Sequence, residues 1–171
     1  MCIRDSSGET SVGVDPHNVV RTMSRIVRSA EGTGEVPKLQ HVPRTKRGVV
    51  AYSAKDIAQN LHARAIVTFT TSGDTARRVA RLRPDLPILV FTPHPQVRSQ
   101  LAVSWGAETF LCRDVHSTDE MIEVVDEILL GMDRYDEGDT MVVVAGTPPG
   151  ISGNTNTIHV HQLGEDTRSP R

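Results

Sequence analysis

The chain has 171 residues, with 19 Lys plus Arg against 21 Asp plus Glu and a net charge of −2, which argues against a general nucleic-acid binder, normally basic overall. Leu, Ile, Val and Phe make up about a quarter of the residues, above the roughly 20% level associated with disorder, so a packed core is within reach. The longest purely apolar run, Met141 to Ala145, is far short of the roughly 20 residues of a membrane span, and the length is too small for a whole (β/α)8 barrel of about 250.

Met1 to Ser6 shows no periodicity. Ser7 to Gly13 reads as a small polar loop bearing glycine. Asp15-Pro16 starts a helix, with Asp at the N-cap and Pro at the first helical position. Val19, Met23, Ile26 and Ala30 follow at helical spacing, and Gly32 is the expected stop. Thr33 to Arg47 is rich in Gly, Pro and basic residues and reads as a linker or crossing segment. From Gly48 onward helix and strand alternate. Val50, Ala54, Ile57, Ala58 and Leu61 form a helical stripe. Ala65 to Thr70 is a β-branched apolar run, as expected of a parallel strand buried on both faces. Asp74 to Leu82 reads as a helix, Pro87 to Thr92 as a second strand, and Pro95 to Trp105 as a helix ended by Gly106. Thr109 to Cys112 is a short third strand. Ser117 and Glu120 form a capping box for a helix carrying Met121, Val124, Val125, Ile128 and Met132. Met141 to Ala145 is a fourth strand and Thr157 to Leu163 a fifth.

This alternation predicts a three-layer α/β domain with a five-stranded, mostly parallel sheet. No helix separates the last two strands, and a parallel crossover usually needs one. The fifth strand is therefore expected to be antiparallel and at an edge.

Thr70, Thr71, Ser72, Gly73, Asp74 and Thr75 sit where a buried strand hands over to a helix, the end at which open α/β sheets bind ligands. Amides at a helix start and the helix dipole favour an anion, and the Thr and Ser hydroxyls add donors, so phosphate is the natural ligand. The same residues also suit ordinary N-capping with no ligand. A second candidate runs from Gly146 to Thr157, where glycines allow close approach and prolines stiffen one arm. Its length favours function over a plain connection. Arg77, Arg78, Arg81 and Arg83 could help neutralise a phosphate or simply coat a helix. His159 and His161 share a strand face, but no third ligand stands near them in sequence, so no metal site is expected. Trp105 reads as a packing residue and Cys112 as a buried small hydrophobe. There is no Walker loop, no Ser/His/Asp arrangement, and no G-x-G-x-x-G after the first strand, which disfavours a nucleotide-dependent oxidoreductase. Cys2 and Cys112 build no disulfide framework. Met1 to Asp5 contains no apolar signal region, so a cytoplasmic location is expected.

The ordered series Ser7-Gly8-Glu9-Thr10-Ser11-Val12-Gly13, Asp15-Pro16, Arg21-Thr22-Met23, the Thr-Ser-Gly-Asp-Thr loop, Arg83-Pro84, Trp105-Gly106, Ser117-Thr118-Asp119, Glu137-Gly138-Asp139 and Ala145-Gly146 to Asn156-Thr157 resembles the C-terminal part of pyruvate kinase, closest to actinobacterial forms. The resemblance covers about residues 7 to 166. It implies an enzyme that transfers a phosphoryl group from phosphoenolpyruvate to ADP with Mg²⁺ and, in many members, K⁺. It further implies that residues 1–31 are a remnant of the last barrel βα unit, that 32–47 link it to a regulatory domain at 48–166, and that 167–171 form a tail. Ser7, Gly8, Glu9 and Thr10 would then lie at the barrel mouth. The metal-binding carboxylates, catalytic lysine and nucleotide-binding arginines of the family have no counterpart here, so no cofactor is expected in this chain. By the same resemblance, a sugar-phosphate effector site corresponds to Thr70 through Thr75 with Gly150, Ser152, Gly153, Asn154 and Thr155, and the domain makes contacts in a homotetramer.

Two departures stand out. Many relatives have Lys where this chain has Thr71, which makes a monophosphate as reasonable an effector as a sugar bisphosphate. Cys2-Ile3-Arg4-Asp5 breaks the apolar strand the family has before Ser-Gly-Glu-Thr, so residues 1–6 are expected to be foreign to the pattern, or the chain a truncated fragment. The alternative to an inactive regulatory piece of the enzyme is a free-standing sugar-phosphate-binding or protein-interaction module, whose first long helix would expose an apolar patch.

Overall fold

The computed structural model describes residues 7–33, 43–151 and 153–165. The expectations for residues 1–6, the middle of the linker, Ser152 and the tail lie outside them. The chain divides into two compact units, Met1–Lys38 and Leu39–Arg171.

In the first unit, Ser7–Val12 is helix α1, not the expected loop. The small polar residues there close an α-helical turn, with Gly13 N–H donating to the Glu9 carbonyl at 3.1 Å. Ser, Thr and Gly weigh only a few tenths to about 1 kcal/mol per residue against helix, so local bonding outweighs composition. Helix α2, Pro16–Thr33, starts as expected: the Asp15 carboxylate accepts from Asn18 N–H at 3.0 Å. It runs past Gly32. Val19, Met23 and Val27 are half-buried in this unit, whereas Ile26 and Ala30 are exposed, so the covered stripe is narrower than the periodicity suggests.

The second unit opens with α3, Lys46–Asn60, capped by Thr45, whose hydroxyl accepts from Gly48 N–H at 3.2 Å. Both ends of the expected linker are thus helical or capping residues. Then follow β1 Ala65–Phe69, α4 Asp74–Arg81, β2 Ile88–Thr92, α5 Pro95–Leu101, β3 Ala107–Leu111, α6 Thr118–Leu129, β4 Thr140–Gly146 and β5 Thr155–Gln162. The sheet order is β3-β2-β1-β4-β5. All pairings are parallel except β4 with β5, so the antiparallel edge strand is where the missing crossover helix puts it.

Two cores sandwich the sheet. On one face Val67, Phe69, Leu89, Phe91, Met141 and Val143 pack against Met121, Val124, Val125 and Leu129 of α6. On the other, Ile66, Ile88, Val90, Val142 and Val144 meet the small residues Ala51, Ala54 and Ala58 of α3, with Ala76 and Val79 of α4. Each fully buried Leu, Ile or Phe side chain contributes roughly 1.5–3 kcal/mol, which is why the strands read as unbroken apolar runs. Leu61 leaves the expected stripe: it caps α3 and is half exposed.

Helix α5 ends at Leu101, four residues before Trp105. Leu101 is fully buried, and beyond it Ala102 and Ser104 N–H groups bond three residues back, tightening the chain so that it can enter β3 at Ala107. Trp105 is half-buried, with the Arg83 guanidinium 6.0 Å from its ring centre. The Ser117 hydroxyl accepts from Glu120 N–H at 3.1 Å, as a capping box requires, but the Glu120 carboxylate returns to His116 N–H, at 2.7 Å, rather than to Ser117.

Candidate functional site

At the carboxyl edge of the parallel strands, the segments after β1, β2, β3 and β4 meet the start of β5 around an open cleft of about 560 Å³, solvent included. One wall is the β1–α4 loop: Thr70, Thr71, Ser72 and Thr75 line the cleft. The opposite wall is the β4–β5 loop: Gly146, Pro149, Gly150, Ile151, Gly153, Asn154 and Thr155. Chain reversal after adjacent strands β1 and β4 brings together two segments some eighty residues apart.

The first wall is built from its own backbone. The Thr70 hydroxyl accepts from Gly73 N–H at 2.8 Å, and Gly73 takes φ +82, a left-handed conformation that a side chain would strain. Gly73 occupies the N-cap of α4 and has no side chain to cap it. None of Thr70, Thr71 and Ser72 is thus the N-cap residue itself, and Thr70 holds the helix start through the Gly73 N–H. Helical geometry leaves the first-turn amides of α4 without intrahelical acceptors, and their dipoles favour an anion at this end. Asp74 points elsewhere: its carboxylate accepts from Arg78 Nε at 2.8 Å and Arg47 Nη1 at 3.4 Å. The hydrogen bond from Arg78 holds the Asp74 carboxyl below its ordinary 3.8, partial burial opposes this, and the charges of Arg78 and Arg47 reinforce it.

The second wall is tied down at its base. Thr147 N–H donates to Asn156 Oδ1 at 2.8 Å, and the Thr147 carbonyl accepts from Asn156 Nδ2 at 2.7 Å and Asn154 Nδ2 at 2.9 Å. The register slips between Ala145 and Gly146, a bulge that leaves Asn156 as the extra residue and turns its amide back onto Thr147. At Gly146 a side chain has no room, because its Cβ would stand 2.6 Å from the Asn154 carbonyl oxygen. The walls are joined beneath by a buried hydrogen bond of 2.7 Å between the Thr75 and Thr155 hydroxyls.

Of the sequence candidates, Thr70, Thr71, Ser72, Thr75, Gly150, Gly153, Asn154 and Thr155 line one cleft; Gly73 and Asp74 support it from behind, and Ser152 lies outside the described residues. Ser7, Gly8, Glu9 and Thr10 lie in α1. Among the basic residues, Arg77 braces the first wall, donating to the Ser72 carbonyl at 3.1 Å and to Gln100 at 3.3 Å.

Sequence reading missed the floor. Phe69 and Phe91 lie there with rings stacked at 5.2 Å, joined by Pro93, Cys112, Asp114, Val115 and Met121. Once β3 is known to be parallel to β2, the segment after it must emerge at this edge, and that was the available signal. Cys112 is half-buried against the cleft rather than sunk in the core. Burial pushes its thiol above the ordinary 9.0, Asp114 adds to the effect and Arg113 opposes it, so the protonated form is favoured at neutral pH.

His159 and His161 do have a carboxylate beside them, from α6: His161 Nε2 lies 2.7 Å from Asp126 Oδ1. The rings are 6.2 Å apart. Among the described residues no group of three or more His, Cys, Asp or Glu could hold a metal ion, and no helix is long and apolar enough to cross a membrane.

The topology, with a hydroxyl-lined cleft across the carboxyl edge of the sheet, is that of a three-layer α/β domain. Residues 49–161 match the model of the pyruvate kinase alpha/beta domain. The chain is 70% identical over 165 residues to a pyruvate kinase of Corynebacterium efficiens, spanning 96% of this chain and 35% of that protein. It is 57% identical over 161 residues to one of Mycobacterium tuberculosis, spanning 94% and 34%. Among solved structures it is similar to Cryptosporidium parvum pyruvate kinase in complex with ADP, with a TM-score of 0.75 and 27% identity over 92% of this chain and 33% of that one. The chain belongs to the pyruvate kinase family. It spans about a third of the length of the curated relatives it matches.

Proposed function

We propose that this chain is the regulatory part of a pyruvate kinase, binding a sugar-phosphate effector in the cleft and making subunit contacts in a homotetramer, while phosphoryl transfer from phosphoenolpyruvate to ADP needs a barrel that this chain does not contain. The observation that carries the reading is the union of the β1–α4 and β4–β5 loops in one cleft, locked by Thr75 and Thr155. Hydroxyls and first-turn amides offer donors to phosphate oxygens, and Val115 and Ile151, which keep exposed surface, offer apolar area to the body of the effector. Residues 1–31 supply the last βα unit of the barrel, and the protein acts in the cytoplasm.

Among the described residues no group of three or more His, Cys, Asp or Glu could hold the Mg²⁺ of the whole enzyme. What this chain contributes is binding. It orients the phosphate on the amides of α4, holds the sugar against Val115 and Ile151, and closes the Gly-rich wall around it.

Two measurements test the reading. With phosphoenolpyruvate, ADP and Mg²⁺, the 171-residue chain alone is expected to show no turnover, and turnover near that of an intact enzyme would reject it. Calorimetric titration of glucose 6-phosphate is expected to show binding by the native chain and its loss in Ser72→Asp, which adds a charge to the first wall. Equal binding by both would put the site elsewhere.

A further inference from the structure

The residues lining the cleft include a carboxylate, Asp114, but no lysine or arginine. A phosphate ester carries about −1.5 to −2 charges near neutral pH. Helix-start amides contribute only about 0.3–1 kcal/mol at exposed sites, so a partly desolvated dianion calls for a cation as well. Three arginines stand close enough to be candidates, and the structure separates them. Arg77 is braced from behind, with its guanidinium spent on the Ser72 carbonyl and Gln100. Arg78 holds Asp74 in a tight bond of 2.8 Å. Arg47 is different. Its hold on the same Asp74 oxygen is long, 3.4 Å, and its side chain is 44% exposed. Its Nη1 also lies against Gly153, close enough that a Cβ on that residue would stand 2.7 Å away. Gly153 lines the cleft, and Asp74 is the neighbour of Thr75, which also lines it. The guanidinium therefore bridges the start of α4 and Gly153 of the second wall from just outside the lining of the cleft.

We propose that Arg47 is the cation of this cleft: a phosphate group bound on the β1–α4 loop draws its guanidinium from Asp74 onto the phosphate oxygens. This deepens the reading of the cleft as an anion site and rests on it. The exchange leaves no charge stranded, because Asp74 keeps Arg78, and a charge-assisted bond to a dianion replaces a stretched one to a monoanion. It also gives Asp74 a role that the sequence pattern does not show. At the first position of α4 its carboxylate would repel an arriving anion, and pairing it with two arginines cancels that repulsion while holding one of them in reserve. The ligand class that follows is a dianionic phosphate ester, with Arg47 closing the Gly153 wall over it.

The test is a calorimetric titration of inorganic phosphate into the full chain and its variants. Ser72→Asp reports on the cleft, and Arg47→Gln reports on the cation. Arg47 is half exposed and lies outside both cores, so its removal should leave the thermal melting temperature within a degree or two. The native chain should bind, Ser72→Asp should not, and Arg47→Gln should bind about tenfold more weakly. Asp74→Asn should tighten binding by freeing Arg47, and that gain should shrink when Arg47 is already Gln, a coupling that mere support of the loop would not produce. If Ser72→Asp abolishes binding but Arg47→Gln binds like the native chain, the role of Arg47 is overturned and the cleft reading stands. If the native chain and Ser72→Asp behave alike, the cleft reading falls and Arg47 with it.

Discussion

The two walls of the cleft are held in opposite ways. The β1–α4 wall is short and self-supporting, with Thr70 bonded to Gly73, Arg77 clamping Ser72, and Thr75 buried beneath. The β4–β5 wall is long and is tied at its base through Thr147, Asn154 and Asn156, while Ile151 near its tip is 57% exposed. One wall can present donors in a fixed geometry, and the other can adapt to what is bound. The Thr75–Thr155 bond is where the fixed half grips the adaptable half.

The severest way to break this arrangement is at the root of the second wall. Gly146→Ala places a methyl against the Asn154 carbonyl, and backbone there cannot swing aside as a flexible side chain would. A loss of about 2–3 kcal/mol in urea unfolding is expected, together with loss of phosphate binding. A stability unchanged by the substitution would show that the second wall is not held closed at its base.

Next comes the grip itself. Thr75→Val keeps the shape but leaves the buried Thr155 hydroxyl without its partner, at an expected cost of about 1–3 kcal/mol in denaturant unfolding. Adding Thr155→Val should recover most of that, since removing both partners leaves no stranded polar group. If the double variant is as unstable as the sum of the singles, the bond is not what joins the walls.

A milder change sharpens the contrast. Asn156→Ala removes both bonds to Thr147 but touches nothing in the first wall. About 0.5–1.5 kcal/mol should be lost. Hydrogen exchange should quicken in residues 147–154 and stay unchanged in 70–75. Equal quickening in both would mean the walls move as one.

Acid offers the gentlest probe. Burial lowers His159 below its ordinary 6.5, neighbouring His161 adds to this, and Asp119 and Glu165 oppose it. The unfolded chain therefore binds the proton more readily. The stability that neutral His159 represents is present above about pH 6.5 and is lost as pH falls through the lower folded value. Asp74, lowered mainly by Arg78, contributes stability that is present above 3.8 and lost only below it. Strand β5, which continues from the second wall, should thus soften before the first wall does. His159→Asn should flatten the upper part of a pH–stability curve and leave the lower part in place.

Local chemistry was enough to read most of the second unit. The apolar runs of β1, β2 and β4, the Ser117 cap, and the absence of a helix between β4 and β5 depend on residues close in the chain, so the three-layer sheet and its antiparallel edge were legible. The two loops of the cleft were legible for the same reason, since strand-to-helix turns and Gly-rich segments announce themselves. Local chemistry misled where a few tenths of a kcal/mol per residue decide: α1 formed in a segment of small polar residues, and α5 stopped at Leu101 because burying that side chain and reaching β3 outweighed the amphipathic pattern as far as Trp105. The width of the cleft, its Phe91–Cys112–Asp114 floor, the Thr75–Thr155 grip, the pairing of His161 with Asp126 and the place of Arg47 beside Asp74 and Gly153 came only with the folded chain. Those contacts join residues tens of positions apart. Their distances follow from strand order and helix packing, which no window of sequence short enough to show periodicity contains.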